Sequence, residues 1–316
     1  MSHLRVAELP CEVPRTVPTP PLRRIWNPLR RDTASRDSGS LQAIETWQWP
    51  FWGEAPHTVP VHVLAGEADW REAAWMLASF FCASDLAWPV VLHDDGTLPE
   101  KARDVFRRAF GDVLRIVDRA EADAEMVPRL KEFPFCEEFR AEHPQALKLF
   151  DTAHFAAADR FIVFDSDVLF FQKPREIREW ADAGSEDCRF CEDAQENSLI
   201  TAAEARDELD LKLWQRVDTG ICLLWKPAID LDFCDRALAQ TSILRGAPER
   251  IAGTLLALCA SQHGAGGLLP RSYEVTLEGS AAAEAVARHY AGPVRDRFCT
   301  EGVSRIREAV LKIGED

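Results

Sequence analysis

The stretch FIVFDSDVLFF, Phe161 to Phe171, sets two carboxylates, Asp165 and Asp167, inside one of the most apolar runs of the chain. A carboxylate taken out of water is costly unless something pairs with it. Residues i and i+2 of a strand point the same way, so both acids aim at one spot where a strand leaves the core. Paired hard oxygens of this kind suit Mg2+ or Mn2+, which complete their shells with water and substrate phosphates. A basic side chain, or water at a strand end, is the other partner that the pattern allows.

Such a pair needs a frame, and the sequence from Val59 onward supplies one. TVPVHVLAG reads as a short buried strand. DWREAAWMLASFF follows as a helix, with Asp69 as its N-cap and Ala73, Ala74, Leu77, Phe80 and Phe81 on one face. WPVVLHDDG is a second strand, ending in a turn at Asp94, Asp95 and Gly96. LPEKARDVFRRAFG is a helix stopped by Gly111, and VLRIVD a third strand. HPQALKLFDTAHFAAAD predicts a helix burying Ala146, Leu149, Phe150 and Ala153, directly before the Asp165 strand. Beyond it, VDTGICLLWKP reads as a strand, ERIAGTLLALCASQHG as an apolar helix ending at Gly264, and VSRIREAVLKI as a terminal helix. This alternation predicts an α/β fold with a mostly parallel central sheet flanked by helices. Ligands of such sheets bind at the carboxyl ends of the strands, where Asp94, Asp95, Asp165 and Asp167 all fall. Residues 1–45 differ. Pro10, Pro14, Pro18, Pro20 and Pro21, then the basic PLRRIWNPLRR, predict an extended proline-rich N-terminal segment.

Composition narrows the partners. The 316 residues carry 52 acids against 37 Lys and Arg, a net charge of −15. That disfavours a nucleic-acid binder, which needs clustered cations, and no nucleic-acid partner is expected. An anionic substrate must be held locally, by a metal or a few placed cations. No apolar run is long enough to cross a bilayer, and no signal-peptide core opens the chain, so no integral membrane segment is expected. Nine scattered cysteines predict reduced thiols in a cytoplasmic protein. Cys188 and Cys191 form the only CxxC, and a zinc site needs a second pair or a nearby His.

An apolar strand, D-S-D and a further apolar run resemble the DxD signature of the GT-A fold nucleotide-sugar glycosyltransferases, the glycogenin-like enzymes among them. The likeness extends over roughly residues 59–305. ALKLF supplies Lys148 and Leu149 where the family has a Lys-Leu pair before the DxD strand. VDTGICLLW supplies Asp218, Thr219 and Gly220 where it has Asn-Ser/Thr-Gly, and HYAGPVR supplies His289, Gly292 and Arg295 for its His-x-x-Gly element. The turn HDDGT, with Asp94 and Asp95, looks like the one that touches the nucleotide's base or ribose. The resemblance therefore implies a GT-A (Rossmann-like) domain over 46–316, with a nucleotide-binding half at 59–170. An acceptor half and the C-terminal metal and diphosphate element would occupy 171–316. It implies Mn2+ or Mg2+ held by Asp165, Asp167 and His289. A nucleotide-sugar would meet Asp94, Asp95, Lys148, Asp165, Ser166, Thr219, Gly220, Gly292 and Arg295. Each position also has a plain structural reading: Lys148 as a surface lysine, His289 as a core histidine, Asp94 and Asp95 as turn formers.

Two positions depart from the family. Asp218 stands where many relatives have Asn, and Ala252, Gly253 and Thr254 stand where many have an acid followed by Gln-Thr. The catalytic base is thereby left open, with Asp218, Glu249 and Asp193 as candidate substitutes. The implied activity is a hexosyltransferase type of glycosyl transfer, inverting or retaining. UDP-sugar is the default donor, and the acceptor a glycan, lipid or small molecule. FIVFDSDVLF also fits the nucleophile motif of haloacid-dehalogenase-like phosphatases, with Asp165 attacking phosphorus. That family places the motif near the start of its domain. The bare Ala252–Gly253 pair leaves a non-catalytic nucleotide-sugar binder as a third reading.

Overall fold

Strand and helix alternate through the computed structural model, which describes residues 38–48 and 58–313. Most of the proline-rich extension thus lies outside the described residues. Its described end forms a short helix, α1 (Ser38–Gln42), and a 3-10 turn over Ala43–Thr46. Leu41, Ile44 and Trp47 of this segment are buried in the core, and the Trp47 indole N–H donates to the Val310 carbonyl at 2.9 Å.

The first half builds β1 (Val61–Ala65), α2 (Trp70–Ser84), β2 (Val90–Asp94), α3 (Glu100–Phe110) and β3 (Leu114–Val117). Three helices follow: α4 (Arg119–Leu130), α5 (Pro134–Glu142) and α6 (Phe150–Phe155). Then come β4 (Arg160–Phe164) and β5 (Val168–Phe170). The second half adds α7 (Arg175–Ala183), β6 (Cys188–Glu192), α8 (Ala202–Leu209), β7 (Val217–Trp225), α9 (Leu231–Gln240) and α10 (Pro248–His263). It closes with β8 (Gly266–Leu268), β9 (Tyr273–Val275), β10 (Ala287–His289) and α11 (Ser304–Lys312). Seven strands form one sheet in the order β3-β2-β1-β4-β7-β6-β8, with β7 alone antiparallel to its neighbours. The mostly parallel α/β sheet expected from the alternation is present, with that one reversal. Among the described residues, no helix is long and apolar enough to cross a membrane.

Alternate residues of β4 enter different cores, as a period of two dictates. Ile162 and Phe164 pack with α2 and α3, while Phe161 and Val163 pack with α5, α9 and α10. The same alternation separates Cys188 from Cys191, which lie in the two different clusters. Their thiolates cannot converge on one ion.

A second, three-stranded sheet positions the site. Its order is β5-β10-β9, and β10 runs antiparallel to β5 with His289 opposite Val168. Since β5 begins one residue after Asp167, this register carries His289 to the D-S-D turn. The Tyr290 N–H donates to the Asp167 carbonyl at 2.9 Å and locks that placement.

Two local expectations give way to the structure. The single helix read over HPQALKLFDTAHFAAAD is split into a 3-10 turn at Pro144–Ala146 and α6 from Phe150. The Leu147 carbonyl accepts from both Asp151 and Thr152 N–H, and the Thr152 hydroxyl donates to the Lys148 carbonyl at 2.7 Å. The chain tightens around Lys148 and turns it inward. Asp69 sits at the N-cap of α2 without capping it through its side chain. Its carboxylate accepts from the Gly66 N–H at 3.0 Å and from the Ser166 hydroxyl at 3.4 Å, tying the β1 loop to the D-S-D turn.

Candidate active site

A cavity of about 1100 Å3 opens at the carboxyl ends of β1 and β4. One wall carries Asp165, Asp167, His289 and Arg295. Ala252, Gly253 and Thr254 from α10 form another. The charged wall is assembled from β4, the β5–β10 pair and β7, and every cation in it faces a carboxylate. The Lys148 ammonium lies 2.7 Å from Asp165 and donates to the Thr219 carbonyl at 2.6 Å. His289 Nε2 lies 3.2 Å from Asp167 and 3.7 Å from Asp165, while its Nδ1 faces Asp218 at 2.9 Å. Arg295 Nη1 lies 2.9 Å from the other Asp167 oxygen.

Burial and pairing compete throughout this cluster, and pairing prevails at its centre. Burial alone would strip His289 of its proton, yet the Asp218 and Asp167 carboxylates hold its pKa well above the ordinary 6.5. Burial works against the Asp167 and Asp218 charges too, but His289 beside both, with Arg295 or Lys148, keeps each below the usual carboxylate range. Lys148 is held above its ordinary value, because Asp165 outweighs the burial that opposes its charge.

Two glycines make the arrangement possible. A Cβ on Gly220 would stand 2.4 Å from His289 Nδ1, so only glycine leaves room for the imidazole. Gly292 takes φ +56°, the left-handed region that glycine enters without strain, and turns the chain from β10 toward Arg295.

The remaining expected residues divide by placement. Asp95, Ser166 and Thr219 line the cavity. Burial raises the Asp95 pKa, with Asp69 and Asp94 nearby, although Thr97 donates to it twice. Asp94 is not part of the lining. Its carboxylate accepts from the Gly96 and Leu98 N–H groups and pairs with Arg103, so it shapes the turn that presents Asp95. Asp193 lines the cavity at 3% exposure and accepts from the Asn197 side-chain amide at 2.6 Å; burial raises its pKa. Glu249 stands exposed at the edge of the cavity. Among the lining residues that the sequence reading did not single out are Asn197, and Glu72 in the first turn of α2, 2% exposed and 3.6 Å from Arg295. The signal for Glu72 was an acid one helical turn before the buried Met76.

The donor set fits a divalent cation. Among the described residues, Asp165, Asp167 and His289 form a group whose ligand atoms lie within 4.8 Å of one another. Two carboxylates and an imidazole are donors that Mn2+ and Mg2+ accept. Behind His289, Asp218 takes the second ring nitrogen, the support that orients metal-bound histidines in general.

Solved structures share this architecture. A structure of the galactosyltransferase LgtC in complex with donor and acceptor sugar analogs matches with a TM-score of 0.52 and 14% identity, over 80% of this chain and 95% of that one. An active-site mutant of LgtC matches with a TM-score of 0.51 and 16% identity, over 79% and 94% of the two chains. Mouse xyloside xylosyltransferase 1 matches with a TM-score of 0.47 and 13% identity, over 73% and 96%. No family model matches the chain, and no curated protein matches its sequence. At such identities the likeness defines the fold, which is the GT-A fold of glycosyltransferases that the D-S-D stretch resembles.

Proposed function

We propose that this chain is a metal-dependent glycosyltransferase of hexosyl type. It moves a sugar from a nucleoside-diphosphate-sugar, UDP-sugar by default, to a hydroxyl of a glycan, lipid or small molecule. The observation that carries the reading is the meeting of Asp165 and Asp167, from one turn, with His289, from a strand 122 residues further on, in a large cavity of a GT-A fold. The galactosyltransferase among the similar structures supports the hexosyl assignment.

Asp165, Asp167 and His289 would hold the cation, and Asp218, paired with Nδ1, would keep the imidazole turned toward it. Bound there, Mn2+ or Mg2+ supplies Lewis-acid stabilisation of the departing diphosphate. Arg295 and Lys148 place fixed positive charge beside the same oxygens. Gly292 brings backbone close to the phosphates, Ser166 and Thr219 border the sugar, and Gly220 serves the site from behind by leaving room for His289. Asp95 meets the nucleoside from the turn that Asp94 shapes. Of the three acids considered for the base, Asp218 is engaged by His289. Asp193 and Glu249 remain to orient the acceptor hydroxyl. The half at 59–170 serves the nucleotide, and the half at 171–316 the acceptor and the diphosphate. Of the eight described cysteines, all free, seven are buried, which fits a reducing, cytoplasmic setting.

A thermal-shift panel of nucleoside diphosphates with and without Mn2+ tests the assignment. Ligand at a hundredfold excess over its Kd adds about 2.7 kcal/mol of stability. The expected result is a metal-dependent rise in Tm that Asp167→Ala abolishes, with nucleoside diphosphate released from a nucleotide-sugar. Phosphate release from a monoester would assign the phosphatase reading, with Asp165 as nucleophile. Binding without turnover across donors and acceptors would leave a nucleotide-sugar binder.

A further inference from the structure

Arg295 is divided between two acids that belong to different parts of the fold. Its Nη1 lies 2.9 Å from Asp167 Oδ2, and its Nη2 lies 3.6 Å from Oε2 of the buried Glu72 on α2. Its Nε is buried and has no hydrogen-bond partner among the described residues. The side chain nonetheless borders the cavity and is 27% exposed. Asp167 is correspondingly saturated, with His289 Nε2 at one oxygen and Arg295 at the other. Around Asp165, Asp167 and Asp218 stand Lys148, His289 and Arg295, so each acid of the cluster already has a basic partner.

We propose that Arg295 is a shared arm that couples cation binding to diphosphate binding, and that Glu72 is the positioning residue that sets its balance. The proposal rests on the glycosyltransferase reading of the cavity. A divalent cation approaching Asp167 meets a guanidinium already attached there, and like charges at that range repel. A diphosphate gives the guanidinium a better acceptor, since phosphate oxygens match its planar fork. Once Arg295 turns its Nη1 and its unpartnered Nε to phosphate, Asp167 is released to the cation. Glu72 anchors Nη2 during that exchange, so the arm pivots without leaving the wall. Cation and diphosphate each remove an obstacle to the other, and such coupling is reciprocal.

Mn2+ binding followed by electron paramagnetic resonance, at fixed pH and salt, with and without UDP, tests this on the full chain. In the wild-type protein UDP is expected to tighten Mn2+ by about tenfold or more. Arg295→Ala should tighten Mn2+ in the absence of UDP and shrink the UDP enhancement to the part that direct phosphate ligation of the cation supplies. Glu72→Gln should do the opposite to Mn2+ alone, because the guanidinium then belongs wholly to Asp167. A merely structural role would not move the two variants in opposite directions. Should Glu72→Gln fail to fold, Arg295→Lys replaces it: a lysine keeps the charge at Asp167 without bridging to Glu72, so Mn2+ alone stays weak and the coupling shrinks. Equal Mn2+ affinity in wild type and Arg295→Ala overturns the proposal while leaving the transferase reading intact. Wild-type protein that binds neither Mn2+ nor UDP overturns both.

Discussion

Two arginine–aspartate clusters among the described residues, one buried and one at the cavity wall, are built from the same residue types and put to opposite uses. Arg140, 3% exposed, bonds both oxygens of Asp151 at 2.8 and 2.7 Å and reaches Asp123 at 2.8 Å. Each of its three guanidinium nitrogens bonds a carboxylate oxygen, the fork on Asp151 is bidentate, and the cluster pins α4, α5 and α6 together. Arg295 makes one short contact, one long one, and leaves Nε without a partner among the described residues. The first cluster is closed and holds helices. The second keeps bonding capacity aimed at a cavity, which is what a ligand site requires. Charge alone does not separate the two; exposure, 3% for Arg140 against 27% for Arg295, and completeness of pairing do.

Breaking each cluster should therefore fail in different currencies. Asp151→Ala leaves Arg140 buried with only Asp123, and is expected to cost about 3–5 kcal/mol of stability. Urea unfolding measures that loss, and the fraction still folded should bind UDP and Mn2+ normally. Asp167→Ala leaves His289 with Asp218 and Arg295 with Glu72, so its stability cost should be smaller, about 1–3 kcal/mol. Turnover, however, should fall on the order of a thousandfold, read from nucleoside diphosphate release. If Asp151→Ala silences a well-folded protein and Asp167→Ala does not, the contrast between the clusters is wrong.

Gly220→Ala sharpens the contrast within the site. The added methyl must displace the His289 ring, at an expected cost of about 1–3 kcal/mol. Mn2+ affinity should drop by roughly 10–100-fold as the ligand loses its orientation. Gly267→Ala, where an added Cβ would meet nothing within 4 Å, is the matched control, with a change of about 0.5 kcal/mol or less.

The smallest expected effect is on pH dependence, with chelator present. His289 is raised above its ordinary 6.5, so the stability it contributes is complete below that value and is lost as pH rises through the raised one. Tm should decline over that window, and His289→Asn should flatten the slope. Asp167 and Asp218 are depressed, so their contributions hold above 3.8 and disappear only as pH falls below it.

The parts of the fold that were readable are those whose signal is local. Apolar runs of strand length bounded by Gly or Asp located β1, β2, β3, β4 and β7, and Gly264 marked the end of α10. The split at Leu147–Leu149 was hidden, because the apolar spacing of Ala146, Leu149, Phe150 and Ala153 is helical and only tertiary bonds to Lys148 break it. The short strands β5, β8, β9 and β10, three residues each, carry too little pattern to be seen. In HDDGT the two acids are indistinguishable by type. Arg103, one turn into the next helix, decides that Asp94 faces it and Asp95 faces the cavity.

By itself the sequence determined that two acids leave one strand on the same side, because the side-chain period of a strand is a property of the backbone. It also determined the strand–helix alternation, through the spacing of apolar residues. Only the tertiary structure decided what those acids meet. His289 reaches Asp167 because β10 pairs with β5 in one register across 121 residues of chain. Glu72 reaches Arg295 because α2 packs beside the loop after β10. Contacts between residues so distant in sequence depend on the packing of whole elements: motif resemblance implied that His289 joins the two acids, but nothing local announced Glu72 beside Arg295.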